Sequence, residues 1–391
     1  MSLDVDKSTW TQVAFGDVID SITDRVDDPS NAGVDRYVGL EHLDPGVMTV
    51  QRWDTPDKVE AQKLRFQPED VIFGRRRAYQ KKVARAEFEG ICSAHALVLR
   101  ARPGRIDPGF LPVFLSSAYF LDRAVQISVG SLSPTINWRD LKVQEFDLPP
   151  MPEQKRIAKL IWAMERRRRA LELEAQETQR LADVLTIQRL RALPARKRLG
   201  DLAITRSGPS FSASDVHDDP VDGSVPVLGI PNTKPDGTVN LEGVGYVTGL
   251  AQSVGRIDDS SLILIRTNGN RQRIGNVYLP PDETHGFAVS AFQFLMQVND
   301  PSDRAFIHCV LREPGMQQRM SDAASGSVGL GNLAVRWLND QEIPWSNEPN
   351  DRAALADEAR ILTNAVASIH DERVALDELR SRMQVDVFGG K

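Results

Sequence analysis

Residues 350–387 read NDRAALADEARILTNAVASIHDERVALDELRSRMQVDV. Leu355, Leu362, Ile369, Leu376 and Met383 fall seven apart, and Ala359, Val366 and Val387 occupy a second row between them. Arg373 and Arg380 complete that second row. Apolar residues that alternate four and three positions apart make the seam of a coiled coil. Residues 153–191 carry the same pattern through Ile157, Ile161, Met164, Leu171, Ala175, Ala182 and Leu185, with Arg168 and Thr178 in the remaining seam positions. That stretch has no glycine, and no proline falls between Glu153 and Leu193. Each helix would be about 55–60 Å long at 1.5 Å per residue. Matching lengths and seams predict that the two pack on each other. The alternative, in which each lies separately on its own domain, fits heptads sustained this long less well.

Outward from the helices, the chain is an imperfect repeat. One series runs Gly16-Asp17-Val18, Val38-Gly39-Leu40, Val71-Ile72-Phe73-Gly74-Arg75, Gly130-Ser131-Leu132, Ile136-Asn137-Trp138-Arg139-Asp140-Leu141 and Leu148-Pro149-Pro150. A second follows in the same order: Gly200-Asp201-Leu202, Leu228-Gly229-Ile230, Leu262-Ile263-Leu264-Ile265-Arg266, Gly326-Ser327-Val328, Val335-Arg336-Trp337-Leu338 and Ile343-Pro344-Trp345. The shared order, more than any single pair, carries the repeat. Strand-like stretches occupy residues 82–100, 261–266 and 287–298, broken by turn signals at Asp44-Pro45-Gly46, Pro235-Asp236-Gly237 and Asn268-Gly269. The expected fold is α+β: two repeated mixed α/β domains at 1–150 and 193–346, each followed by a long helix at 151–192 and 347–391.

The bulk numbers suit an ordinary globular protein, with 41% hydrophobic residues and 391 residues in all, too many for one compact core. No apolar run reaches the ~18 residues of a membrane span, and the opening MSLDVDKSTW is too polar for a signal peptide, so no membrane partner is expected. The two cysteines, Cys92 and Cys309, lie far apart, which suits a reduced cytoplasm. The net charge of −6 excludes a protein that coats DNA through bulk charge, but leaves room for basic charge gathered on one face.

Enzyme signatures are absent. There is no phosphate loop, no dinucleotide fingerprint, and Asp147-Leu148-Pro149-Pro150-Met151 is not the adenine-methyltransferase motif. His42, His95, His217, His285, His308 and His370 lack metal-ligand spacing, and His308-Cys309 reads as a buried pair. No catalytic, metal or cofactor site is therefore expected in this chain. Two basic segments do stand out. From Val71 to Ala86 no acid occurs, while Arg75, Arg76, Arg77, Lys81, Lys82 and Arg85 surround Tyr79 and Gln80. From Ser260 to Pro281 no acid occurs, and the stretch holds Arg266, Asn268, Asn270, Arg271, Gln272 and Arg273. Arginine pairs bidentately with guanine and Asn or Gln with adenine, while flanking cations hold phosphates. One such cluster is usually a solvated loop. Two at equivalent repeat positions in an acidic chain point to double-stranded DNA.

The run Gly130-Ser131-Leu132-Ser133-Pro134-Thr135-Ile136-Asn137-Trp138-Arg139-Asp140-Leu141, then Leu148-Pro149-Pro150-Met151-Pro152-Glu153-Gln154-Lys155-Arg156-Ile157-Ala158, leads into a long helix. It resembles the specificity subunits of type I restriction–modification systems, as do Val71–Arg77 and the whole layout. The resemblance implies two target recognition domains, each reading half of a split DNA site, held apart by an antiparallel coiled coil. It implies that two methyltransferase subunits, which bind S-adenosylmethionine, dock on the coil and domains, with Pro149, Pro150, Glu153 and Gln154 as candidate contacts, and that restriction subunits join them. It also implies a non-catalytic chain. The second half departs from the pattern, with Ile343-Pro344-Trp345-Ser346-Asn347-Glu348-Pro349 where the first has Leu-Pro-Pro-Met-Pro-Glu-Gln. That puts in doubt the equality of the two docking faces, and leaves open a related defence complex with another effector. An unrecognised methyltransferase or nuclease would instead bind S-adenosylmethionine itself, and a coiled-coil adaptor would show no DNA affinity.

Overall fold

The structure, a computed structural model, describes residues 6–326 and 330–389; Ser327 and Val328 of the repeat landmarks lie outside the described residues. The chain divides into two compact units, residues 1–173 with 370–391, and residues 174–369. The cuts fall inside both long helices, Met151–Arg191 and Pro349–Phe388. Each unit therefore holds one repeat domain and a stretch of both helices.

In the first unit a four-stranded antiparallel sheet runs in the order Ile19–Ile22, Ala96–Ala101, Val71–Gly74, Val83–Arg85. Successive side chains of a strand point to opposite faces. Val71, Phe73, Leu97 and Leu99 accordingly pack on the helices Phe110–Leu115 and Ala118–Gln126, while Ile72, Ala96 and Val98 pack on a second sheet through Val38, Phe66 and Cys92. Both faces are buried, which is why Val71-Ile72-Phe73 reads as an unbroken apolar run. The second unit repeats the plan with Ala203–Ser207, Gln293–Val298, Ser261–Ile265 and Val277–Tyr278. There Leu262, Leu264, Phe294 and Met296 face the helical core, and Ile263, Ile265 and Leu295 face the second sheet.

The second sheets differ. Both keep a parallel pair, Tyr37–Val38 with Gly90–Ser93 and Val225–Leu228 with Ala288–Val289. The next strand joins Gly90–Ser93 in the first unit, whereas Gly245–Val247 joins Val225–Leu228 in the second. Asn268 also sits in a short strand rather than the expected turn.

The landmark glycines have a packing reason. A Cβ on Gly16 would stand 3.0 Å from that of Lys142, and one on Gly200 would stand 3.1 Å from that of Asn339. At each place a short helix is pressed onto the backbone before the closing strand, with Gly16 N–H bonded to Lys142 O and Leu199 N–H to Gln341 O.

The heptads form the expected seam within each unit. In the first, Ile157 and Ile161 share a core with Met383, Val387 and Phe388, and Arg167 pairs with Glu372, so the helices run antiparallel there. In the second, Leu190 shares a core with Leu355 and Ala356 while Ala182 and Thr363 line one cleft, again antiparallel. Leu185 departs from the expectation: it is exposed, and Thr186 and Leu190 turn inward instead. The inward face advances by fours after Ala182, as an uncoiled helix of 3.6 residues per turn drifts away from a strict seven-residue repeat.

Candidate nucleic-acid interface

Each central sheet strand ends in an arginine that begins a basic arm. Arg75 follows Val71–Gly74 and Arg266 follows Ser261–Ile265. The carbonyl of Arg75 accepts from Ile136 N–H at 3.0 Å, and that of Arg266 accepts from Leu333 N–H at 2.9 Å. The arm then pairs with a loop. Arg76 bridges to Thr135 and its Nε donates to Ser133 Oγ at 3.0 Å. Thr267–Asn268 pairs with Gly331–Asn332, and Thr267 Oγ1 donates to Asn332 Oδ1 at 2.9 Å.

The loops themselves are closed alike, by bridges Val129 to Thr135 and Ser325 to Asn332. Each opens on a glycine in the left-handed region, Gly130 at φ 112° and Gly326 at φ 147°. At Gly326 a Cβ would lie 2.2 Å from Leu330 O, so only glycine fits. Leu132 at the tip is 94% exposed. Sequence reasoning used these loops as landmarks and missed them as part of the surface beside the basic arms. The signal was there, in the Gly-Ser opening shared by both halves.

The candidate residues separate into free and committed groups. Arg77 is exposed, carries no ion pair among the described residues, and sits at φ 54°, while Lys81 sits at φ 50°. Two non-glycine residues in this region flank the short turn Ala78–Gln80, strain of the kind that gathers at binding surfaces. Tyr79 is 54% exposed, and Gln80 lies beside it half-buried. Lys81 pairs with Asp122 at 2.8 Å on the surface. Lys82 is turned inward, donating to Leu40 O at 2.6 Å. Arg85 is also held, by Glu69 at 3.0 Å and by the Trp162 ring at 5.1 Å.

In the second arm Arg271 and Gln272 are exposed without side-chain partners among the described residues. Asn268 and Asn270 shape the turn by accepting from Asn270 N–H and Gln272 N–H. Arg273 is committed to Thr233 O and Tyr278 Oη, and Arg266 lies over Phe294 at 5.8 Å. Lys82, Arg85 and Arg273 therefore support the arms from inside, and the surface narrows to Arg76, Arg77, Tyr79, Gln80 and Lys81 in one unit and Arg271 and Gln272 in the other. The field around the first arm is positive: burial, then the charges of Arg76, Arg75 and Lys63, lower the pKa of His95.

The helix-start residues divide in the same way. Pro150 and Glu153 reach the surface, with Glu153 taking two bonds from Arg156 that hold its carboxyl below the usual range. Pro149 and Gln154 are buried and cannot meet a partner directly. Gln154 Oε1 accepts from Asp107 N–H at 2.8 Å while its Nε2 donates to Pro149 O at 2.9 Å. The fourth helical residue of the second long helix, Arg352, makes the equivalent tie to Asp303 at 2.6 Å and to Ser346 O at 2.7 Å. The divergent second motif thus keeps the anchor and changes its chemistry.

Cys92 and Cys309 are buried free thiols. Among the described residues no group of three His, Cys, Asp or Glu side chains is placed to hold a metal, and no helix is long and apolar enough to cross a membrane.

Comparison with known proteins gives concordant matches. Residues 7–182 match the family described as type I restriction modification DNA specificity domain. The chain is 26% identical over 156 residues to the Type I restriction enzyme EcoDI specificity subunit of Escherichia coli, a match covering 39% of this chain and 34% of that protein. The chain thus spans about a third of that relative's length. The fold is shared with the S subunit of a type I restriction–modification system from M. genitalium, with TM-score 0.61 and 15% identity over all of both chains. It is shared too with a chain from a study of assembly and conformational transition in the type I system, with TM-score 0.60 and 19% identity over 98% of each.

Proposed function

Because residues 7–182 match the type I restriction modification DNA specificity domain family and the whole chain shares the fold of S subunits, we propose that this protein is the DNA-recognition subunit of a type I restriction–modification complex. It reads a two-part DNA site, one part through each unit, and performs no chemistry. The observation that carries this reading is the recurrence of one construction in both halves: a buried strand, a basic arm, and a glycine-opened loop pinned beside it. Free arginines carried just beyond buried strands suit base-edge contacts, and neighbouring cations suit phosphates.

Catalysis then belongs to partners. Two methyltransferase subunits, holding S-adenosylmethionine, dock near the helix starts, and restriction subunits complete a cytoplasmic complex. Selection from a random duplex library by the chain with its methyltransferase tests the reading. Two half-sequences at a fixed gap should emerge, Arg77→Ala should blur one half, and Arg271→Ala the other. A single contiguous motif, or no enrichment, would overturn it. A second reading keeps the DNA reader and changes the effector. It draws on the altered helix start, with Arg352 where the first half has Gln154, and the partners that co-purify distinguish the two.

A further inference from the structure

A cleft of about 290 Å³ opens in the second unit where the first long helix ends. Leu190, Val310 and Met316 line its floor and Arg191, Arg196 and Arg319 its rim. None of the three arginines has an ion pair among the described residues. Arg319 only donates to Met316 Sδ at 3.4 Å. Glu313 also lines the cleft, but its carboxylate is occupied, accepting from Gly315 N–H at 2.9 Å and Met316 N–H at 2.8 Å. Two of the rim arginines, Arg191 and Arg196, belong to a third acid-free basic stretch, Val184 to Gly200. There Arg189 pairs with Glu358, Arg198 with Asp340, and Lys197 lies over Trp345, which leaves Arg191 and Arg196 unmatched.

The repeat shows what belongs in such a cleft. Gln12 opposes Asp147 in one closing strand pair and Arg196 opposes Pro344 in the other, while Ser117 and Glu313 cap equivalent helices. In that register Phe114, Tyr119 and Phe388 correspond to Val310, Gly315 and Leu190. In the first unit the Phe388 ring is buried 6.1 Å from Phe114 and stacked on Tyr119 at 6.4 Å. The second unit lacks all three rings and has not closed over the gap, although packed interiors leave few voids of this size. Cations stand where the first unit has neutral residues, Arg196 for Gln12 and Arg191 for Gly389.

We propose that this cleft docks an acidic segment of a partner protein that inserts one aromatic side chain, taking the place Phe388 fills in the first unit. The ring supplies the missing apolar contacts, as buried aromatic anchors do at interface centres. Flanking carboxylates meet the three free guanidiniums in charge-assisted hydrogen bonds. A nucleic acid fits less well, because presenting a ring to the floor would first require unstacking a base, at a cost of about a few kcal/mol.

The test uses the full chain and a fluorescein-labelled peptide with one phenylalanine between two aspartates on each side, followed by anisotropy. Binding is expected, and it should weaken by about tenfold or more in the Arg196→Ala/Arg319→Ala variant, the scale of one charge-assisted contact. Ile187→Trp, which plugs the cleft, should weaken it similarly. A peptide with serine for phenylalanine should not bind. Far-UV circular dichroism and melting temperature establish that the variants fold, and the arginine variant decides alone if Ile187→Trp does not. The proposal is overturned if the labelled peptide fails to bind, if the serine peptide binds equally, if the folded variants bind unchanged, or if single-stranded DNA displaces the peptide at equal concentration.

Discussion

Arg380, on the second long helix, places Nη1 2.9 Å from Oε2 of Glu165 on the first. Glu165 also accepts from Arg168 Nε at 3.0 Å and Nη2 at 2.8 Å, and the Glu165 and Arg168 residues are only 3% and 5% exposed. A carboxylate buried this deeply is tolerable only when fully paired. The seam arginines at 168 and 380 therefore read as a register device, since any slip would strand one buried charge. Glu165→Gln should destabilise by up to about 3–5 kcal/mol, because Arg168 would keep only Glu172 at 3.3 Å and Arg380 only Asp377 at 3.4 Å, both partly exposed. Replacing all three by Leu, Leu and Met should be near neutral or stabilising. Urea unfolding of the two variants checks both; a Glu165→Gln protein as stable as wild type would remove the role.

The division of the basic arm into free and committed cations predicts different failures. Arg77→Ala and Arg271→Ala should each weaken cognate DNA binding by about 1–3 kcal/mol if they read a base, or reduce the salt slope by about one if they hold a phosphate. Arg85→Ala should instead lower the melting temperature, since it loses Glu69 and the Trp162 ring, and should leave the salt slope alone. Salt titrations of binding, read beside thermal melts, separate the outcomes. An Arg85→Ala protein that melts normally but has a shallower salt slope would return this residue to the DNA face.

Much of this was legible in the chain, for identifiable reasons. From Leu355 to Val387 every second-helix seam position is buried or half-buried, because a periodic pattern reports one face of a helix directly. The two basic arms were legible because their charge is local. The partners of Lys82, Arg85 and Arg273 were not, because Leu40, Trp162 and Thr233 reach them only through tertiary packing. Strand order was hidden for the same reason, although the apolar run Val71-Ile72-Phe73 ahead of the first arm reads as a short strand and is one.

The two helix anchors should differ in strength. Gln154→Ala orphans the amide of Asp107 and the carbonyl of Pro149, neutral groups whose loss costs about 1–3 kcal/mol apiece when buried. Arg352→Ala leaves Asp303 buried with its charge uncompensated, which costs about 3–5 kcal/mol, and also orphans the buried Ser346 carbonyl, about 1–3 kcal/mol more. Denaturation midpoints of the two variants should therefore shift unequally, the second more than the first. Equal shifts would mean that the Arg352 guanidinium acts mainly through its stacking on Trp345, 4.4 Å away.

His308 gives the second unit an acid sensitivity. It lies within the helix Arg304–Arg312, and its pKa is pushed down to about 3, first by burial and then by the charges of Arg312 and Arg304. A hydrogen bond to the Val277 backbone opposes the shift without reversing it. The folded chain thus refuses a proton that the unfolded chain accepts near pH 6.5. Stability from this residue is whole above pH 6.5 and drains away as the pH falls toward 3, by at most about 1.4 kcal/mol per pH unit. His308→Leu removes the titration. Its cavity or packing penalty is the same at every pH, so it moves the whole curve without bending it. Carboxylates held low, such as Asp258 and Asp300, add their own losses only at lower pH. The comparison therefore belongs between pH 6.5 and 5, where wild-type stability should fall with acid more steeply than the variant's, which keeps only the loss from His95, whose pKa is lowered too. Parallel curves across that window would mean that His308 takes up its proton as readily in the folded chain as in the unfolded one.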